Sequence, residues 1–334
     1  MRAWMHLSPK LPLEKSMTLV RDAPLPAAPL KPTQLLIKVR TVGVNPADPI
    51  FSELPWPTRA MVKPSPISGM DYSGEVVSVG SDVTTLRPGD RVFGRVDTQK
   101  GMPGSMAEYT TANIDGCVLL PPNVDWDEAA GVGTAGVTAY QTVVPNAKAG
   151  DSIFINGGTG GVGTFAIQFA KAKGCKVTVS CSTAKMDLCK QLGADEVIDY
   201  RSEDLLTALR RRGKDSFDLV LDYAYRAETG LYAASSAFLK DTGKFVMVPG
   251  GVSLSTVMTI GKFTFCPSML GGGRAKFEAY FAASNRPAFE QIAQWMAEGK
   301  VRTVVDSRLE FDEMPRAIER IKAGSATGKI LVRV

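Results

Sequence analysis

Residues 151–163, DSIFINGGTGGVG, decide how this chain folds. The apolar run Ile153-Phe154-Ile155 leads into a glycine cluster containing Gly158-x-Gly160-x-x-Gly163. Val162, Phe165, Ala166, Phe169 and Ala170 then follow at helical spacing. Strand, glycine turn and helix, in that order, suit a dinucleotide pyrophosphate. The glycines allow a tight turn and close backbone approach, and the free N–H groups at the helix start face the phosphates. A glycine turn alone is a common structural device; the flanking strand and helix make it a dinucleotide signal.

The next strand of such a unit, Cys175-Lys176-Val177-Thr178-Val179-Ser180, bears on the choice of nucleotide. A chain selecting NAD usually carries Asp or Glu there, about 20 residues past the first glycine, for the ribose 2′-OH. Here the strand runs into Cys181-Ser182-Thr183-Ala184-Lys185, with no acid before Asp187. A 2′-phosphate is repelled by a carboxylate and held by a hydroxyl and an ammonium. Ser182 and Lys185 supply both, so the expected cofactor is NADPH. Ser182 is also a helix-capping residue type, and capping and phosphate binding draw on the same free amides.

The 334 residues, 44% apolar and 22% charged, describe a folded chain of one large or two ordinary domains. Net charge is only +5, and the densest basic run, Arg210-Arg211-Arg212, sits at a predicted helix end where it would be solvated. No basic stripe interleaved with aromatics supports a nucleic-acid partner. Five scattered cysteines (Cys117, Cys175, Cys181, Cys189, Cys266) contain no CxxC pair and point to a reducing compartment rather than a disulfide framework. His6 is the sole histidine, so no two-histidine metal site is available. No apolar run approaches the ~18–20 residues of a membrane span. The opening MRAWMHLSPKLPLEK lacks the apolar core of a secretory signal, and a cytoplasmic location is expected.

Two textures meet near residue 125. Residues 1–124 carry short β-like runs between Pro and Gly: Gln34–Arg40, Gly74–Val79, Asp90–Phe93 and Met106–Thr111. From Val124 strands and helices alternate. Strands are expected near 151–156, 175–180, 196–200, 217–223 and 244–249, and helices near 162–173, 184–192, 203–212 and 228–240. Such alternation calls for a parallel, doubly wound sheet. Helices near 286–299 and 312–323 and a final strand at 329–334 close the chain. The economical arrangement is a cofactor domain inserted into a split β-rich domain, with the active cleft between them.

Several landmarks occur in order along the chain: Val44-Asn45-Pro46-Ala47-Asp48, Gly69-Met70-Asp71-Tyr72-Ser73-Gly74, Arg87-Pro88-Gly89-Asp90-Arg91-Val92-Phe93-Gly94 and Gly104-Ser105-Met106-Ala107-Glu108-Tyr109. Thr134-Ala135-Gly136-Val137-Thr138-Ala139-Tyr140, the glycine turn, Leu192-Gly193-Ala194-Asp195 and Gly328-Lys329-Ile330 continue them. With these the chain resembles, over nearly its full length, the zinc-free quinone oxidoreductase and enoyl reductase branch of the medium-chain dehydrogenase/reductase superfamily. The resemblance implies an α/β protein. A GroES-like catalytic domain is expected at 1–124 and 266–334, and a Rossmann domain that binds NADPH at 125–265. The superfamily's zinc enzymes use a Cys and a His of the first domain on catalytic zinc; here the Asn45-Pro46-x-Asp48 segment lies where that Cys would be. Residues 94–110, where a structural-zinc loop would sit, have no cysteine. The reaction implied needs no Lewis acid: hydride transfer from NADPH to a quinone, an α,β-unsaturated carbonyl or a related activated alkene.

The resemblance also assigns residues. Thr159, Gly160, Gly161 and Val162 would line the pyrophosphate, with Ser182 and Lys185 on the 2′-phosphate. Tyr200 would lie near the adenosine phosphate, or else mark the edge of the core. Thr138 would sit on the nicotinamide side, or simply open a helix. Val248, Pro249 and Gly250, at the carboxyl edge of the sheet, would present backbone to the nicotinamide amide, or form only a turn. Asn45 is the substrate-side polar residue, with a positioning role. Asp48 either joins it or fixes the loop by bonding backbone amides. Some enoyl reductases of the superfamily place a proton-donating tyrosine shortly after this segment; here the aromatics are Phe51 and Trp56, so solvent is left to protonate the product. Phe51, Trp56 and Phe263 form an apolar wall for a flat substrate, or belong to the core. A trans-acting enoyl reductase of a polyketide or fatty-acid pathway, and an NADPH-binding protein with little turnover, are the alternative readings. Lys262–Phe265 reads as a short apolar edge strand that would pair with its copy in a homodimer.

Overall fold

The run Gln34–Arg40 alternates apolar and polar side chains, and it forms the start of an eleven-residue strand, Gln34–Val44. Leu35, Ile37 and Val39 turn inward while Lys38 and Arg40 face solvent. The last four residues are buried on both faces, because the helix Trp126–Ala130 packs over the strand. A computed structural model describes residues 1–6, 12–26, 29–54, 59, 65–224, 230–250, 254–265 and 275–334. Trp56 and Cys266 lie outside the described residues.

Two units emerge, Met1–Val137 with Ala283–Val334, and Thr138–Ala282. In chain order the first contributes β1 (Ala3–His6), β2 (Met17–Val20), β3 (Gln34–Val44), β4 (Asp71–Val79), β5 (Arg91–Arg95), β6 (Tyr109–Asn113) and β7 (Cys117–Leu119). The second contributes β8 (Ser152–Asn156), β9 (Lys176–Cys181), β10 (Glu196–Asp199), β11 (Phe217–Asp222), β12 (Leu239–Met247) and β13 (Lys276–Ala279). The chain then returns to the first unit with β14 (Val305–Glu310) and β15 (Lys329–Arg333).

The first unit's main sheet has the order β14-β15-β3-β4-β5-β7, with β6 also on β3. Every pairing is antiparallel except β14 with β15. Val42, Val44, Tyr72, Val92, Ile330 and Val332 are in its core. In the second unit the order is β10-β9-β8-β11-β12-β13, all parallel. The strand order reverses between β8 and β11, and a ligand of an open α/β sheet belongs at the carboxyl ends of those strands.

Three expectations need correction. Lys262–Phe265 is no strand: it ends the helix Leu254–Phe265. Ile260 and Phe263, spaced for a helix, pack into the second unit's core, where the Phe263 ring lies 4.7 Å from Tyr232 and 5.4 Å from Phe277 between centroids. Of the two readings for Phe263, these contacts support the core one. The sheet's edge is instead β13, one strand beyond the five expected. The domain limits shift as well. The helix Trp126–Ala130 belongs to the first unit, where it packs on β3, β4 and β5, and Asp127 accepts from Arg308 and Arg333. At the other end, β13 extends the parallel sheet past residue 265.

Candidate functional site

In the second unit, β8 ends at Asn156 and the chain turns through Gly157, at φ +86°, into the helix Gly161–Ala172. Gly160 stands at the helix start, and no side chain caps it. A Cβ on Gly163 would lie 2.2 Å from the carbonyl oxygen of Gly157, so only glycine lets helix and turn approach this closely. An uncapped helix start behind a glycine turn leaves amide groups facing outward, as a pyrophosphate requires. The expected Thr159, Gly160, Gly161 and Val162 all lie on this segment.

The carboxyl ends of the central strands are tied together by a buried polar chain absent from the sequence reading. The Ser180 hydroxyl donates to Asn156 Oδ1 (2.6 Å), and Asn156 Nδ2 donates to Asp222 Oδ1 (2.9 Å). Burial raises the Asp222 carboxyl above its ordinary range, opposed by the bonds from Ala224 N–H and Asn156. The Val248 N–H donates to the Asp222 carbonyl at 3.0 Å, which holds half-buried Val248, Pro249 and Gly250 at the end of β12. The signal available was one polar residue closing each apolar strand: Asn156, Ser180 and Asp222.

Ser182 precedes and Lys185 ends a single 3₁₀ turn, Thr183–Lys185, directly after β9. Here the structure adds an acid the sequence reading passed over, Asp199 at the end of β10. Its carboxylate accepts from the Thr183 hydroxyl (2.6 Å) and the Arg201 N–H (2.9 Å), and the Thr183 bond foremost holds it below the usual carboxylate range. Tyr200 follows at 48% exposure, with the Arg201 guanidinium 5.8 Å from its ring centroid, so it is a surface residue and not a core edge. Thr138 does not open a helix. It is a buried residue inside Gly133–Val143, and its carbonyl accepts from the Thr142 hydroxyl at 2.8 Å. That hydroxyl also meets Tyr223 Oη at 2.6 Å.

In the first unit, Asn45 follows β3 and precedes the helix Ala47–Ser52. Asp48 Oδ2 accepts from the Asn45 backbone N–H at 2.7 Å, so this carboxyl does brace the loop. Its Oδ1 is buried with no hydrogen-bond partner among the described residues. Burial pushes the Asp48 carboxyl up to about 7; the bond from Asn45 and the nearby Met70 N–H oppose this, the Asp71 carboxylate adds to it and the Lys329 ammonium resists it. The Asn45 side chain is spoken for on both ends. Nδ2 donates to the Gly43 carbonyl at 3.2 Å, and Oδ1 accepts from the Lys329 ammonium at 2.5 Å. Phe51, in the same short helix, is half-buried.

Lys329, part of the Gly328-Lys329-Ile330 landmark, is buried and bonds Asp71 Oδ2 at 3.0 Å. Asp71 Oδ1 in turn accepts from the Thr134 backbone N–H (2.7 Å) and hydroxyl (2.6 Å). A Cβ on Gly133 would meet that oxygen at 2.4 Å, so glycine makes the room. A lysine opening an otherwise apolar strand, Lys329-Ile330-Leu331-Val332, was the sequence signal. Among the described residues, no group of three or more His, Cys, Asp and Glu is placed to hold a metal, and no helix is long and apolar enough to cross a membrane.

Residues 31–122 match the family described as alcohol dehydrogenase GroES-like domain, and residues 192–332 the family described as zinc-binding dehydrogenase. A trans-enoyl reductase of Aspergillus terreus is 41% identical over all of this chain and 96% of its own length. A chloroplastic quinone-oxidoreductase homolog of Spinacia oleracea is 31% identical, covering 90% of each chain. Among solved structures, a quinone oxidoreductase from Coxiella burnetii superposes with a TM-score of 0.83 at 30% identity, covering 100% of this chain and 99% of that one.

Proposed function

Since the chain belongs to the zinc-independent quinone oxidoreductase and enoyl reductase branch of the medium-chain dehydrogenase/reductase superfamily, oxidoreductases that use a nicotinamide dinucleotide, we propose that it reduces activated carbon–carbon double bonds with NADPH. The observation that supports the dinucleotide is the uncapped helix start at Gly160, whose amides are left for a pyrophosphate, with the helix drawn close onto the glycine turn because Gly163 has no Cβ to meet the Gly157 carbonyl. NADPH, when bound, supplies the hydride. The chain's part is to hold and orient. Thr159, Gly160, Gly161 and Val162 cradle the pyrophosphate, and Ser182 and Lys185 select the 2′-phosphate. Tyr200 flanks the adenosine phosphate, and Thr138 with the Val248–Gly250 backbone faces the nicotinamide. Asn45 orients the acceptor's carbonyl oxygen, with Asp48 bracing its loop. The ionised Asp199, at the end of the neighbouring strand, accepts from the Thr183 hydroxyl and the Arg201 N–H.

Two acceptor classes share this chemistry, quinones and conjugated carbonyls. The 41% identity to a trans-enoyl reductase across the full chain favours a conjugated thioester or ketone as the natural acceptor. NADPH oxidation measured with a quinone panel beside enoyl thioesters and enones tests the proposal. Faster turnover of enoyl thioesters supports the enoyl reading, faster quinone turnover the quinone reading, and no oxidation with any acceptor rejects both.

We further propose a homodimer built on the β13 edge of the second unit's sheet. The helix Leu254–Phe265 packs against β13, and Val257, Met258 and Phe281 nearby are 54%, 67% and 56% exposed. An edge that is open among the described residues and flanked by exposed apolar side chains is a surface that pairing would cover.

A further inference from the structure

Lys329 is a lysine whose side chain is 3% exposed, clamped between one carboxylate and one amide. Burying an ammonium is unfavourable unless it is paired and hydrogen-bonded, and the Asp71 carboxylate pairs it at 3.0 Å. Asp71 is itself held in place by two bonds from Thr134, at 2.7 and 2.6 Å, so the ammonium has little freedom to move. It delivers a charge-assisted hydrogen bond to Asn45 Oδ1 at 2.5 Å.

That contact has an electronic consequence. A cation bound to an amide oxygen draws density from the nitrogen, and hydrogen bonds along such a chain strengthen one another where the dielectric is low. The Nδ2 hydrogens become better donors. One is directed to Gly43 at a long 3.2 Å; the other remains for an acceptor. We infer that Lys329, anchored by Asp71, is a positioning residue that fixes the orientation of the Asn45 amide and polarises its N–H toward an acceptor's carbonyl oxygen.

This rests on the acceptor-orienting role proposed for Asn45. When hydride adds to the β-carbon, the π electrons of the double bond move through the conjugated system onto the carbonyl oxygen. Charge then grows where Asn45 Nδ2 donates, and a proton from water completes the reduction at the α-carbon. A donor set in advance for that oxygen acts on turnover more than on cofactor binding.

Removing Lys329 alone strands the buried Asp71 charge, so the test variant is the neutral pair Asp71→Asn with Lys329→Met. Its folding is checked by thermal unfolding and its NADPH affinity by titration. The first readout is the Asn45 side-chain amide in the nucleotide-free protein, followed by NMR with ¹⁵N-asparagine labelling and assigned by its disappearance in Asn45→Ala. The wild-type Nδ2 protons should lie downfield of ordinary side-chain amides and return upfield in the pair. The second readout is turnover of an enone: kcat should fall at least tenfold while the NADPH Kd stays within twofold. If the amide shift does not move, or kcat holds within twofold, the inference fails while the proposed activity stands. If wild-type protein turns over no acceptor at all, the activity itself is rejected and the inference with it.

Discussion

Asp48 Oδ2 accepts the backbone N–H of Asn45 at 2.7 Å, while Oδ1 of the same carboxyl is buried without a partner among the described residues. Burial, reinforced by Asp71 and resisted by Lys329, pushes this carboxyl up to about 7 from 3.8. The folded state therefore binds a proton more readily than the unfolded chain. The associated stability is fully present below pH 3.8 and is lost as pH rises through about 7. Asp48→Asn, which cannot ionise, should match wild type near pH 4 and exceed it at pH 8, by at most ~4 kcal/mol at 1.36 kcal/mol per pKa unit. Urea unfolding of both proteins at the two pH values checks this; an equal difference at both would remove the titration from Asp48.

Gly163→Ala places a methyl group 2.2 Å from the Gly157 carbonyl, a backbone atom that cannot rotate away. The helix start must shift, at a cost of about 1–3 kcal/mol for overpacking. NADPH affinity should fall tenfold or more, as followed by calorimetric titration. Affinity unchanged within twofold would dissociate the turn from the nucleotide.

Lys185→Ala should weaken NADPH binding by about 1.5–3 kcal/mol, the range for a hydrogen bond to a charged group, while leaving NADH almost unaffected. Wild-type protein that binds NADH more tightly than NADPH would refute the role given to Ser182 and Lys185. In that case the carboxylate at Asp199 becomes the residue to test.

Asn45→Ala should lower turnover about 10–100-fold, within the few kcal/mol that one oriented donor supplies in a water-poor site. NADPH affinity should change little. Turnover within a factor of two of wild type, in a variant that melts normally, would reduce Asn45 to a loop residue.

Light scattering at micromolar concentration should return twice the mass of 35.8 kDa. A monomer mass under those conditions would count against pairing at β13.

The parallel sheet and its glycine turn were legible from residues 151–163 because they follow from local rules. An apolar run makes a strand, glycines permit the turn, and helical spacing fixes the following face, all within one short segment. The alternating run of residues 34–40 marked the β-rich unit by the same logic, and the landmark motifs did so through family resemblance. Lys262–Phe265 was misread because four residues cannot distinguish a strand from the last turn of a helix; contact with Tyr232 and Phe277 resolves it. Lys329, Asp71 and Thr134 could be read only from the fold, since Lys329 lies 258 residues from Asp71 and 284 from Asn45 along the chain. Sequence determines which residues carry charge and which segments must be buried. Whether a buried charge finds its partner depends on strands far apart in the chain being hydrogen-bonded side by side, and only the tertiary structure decides that.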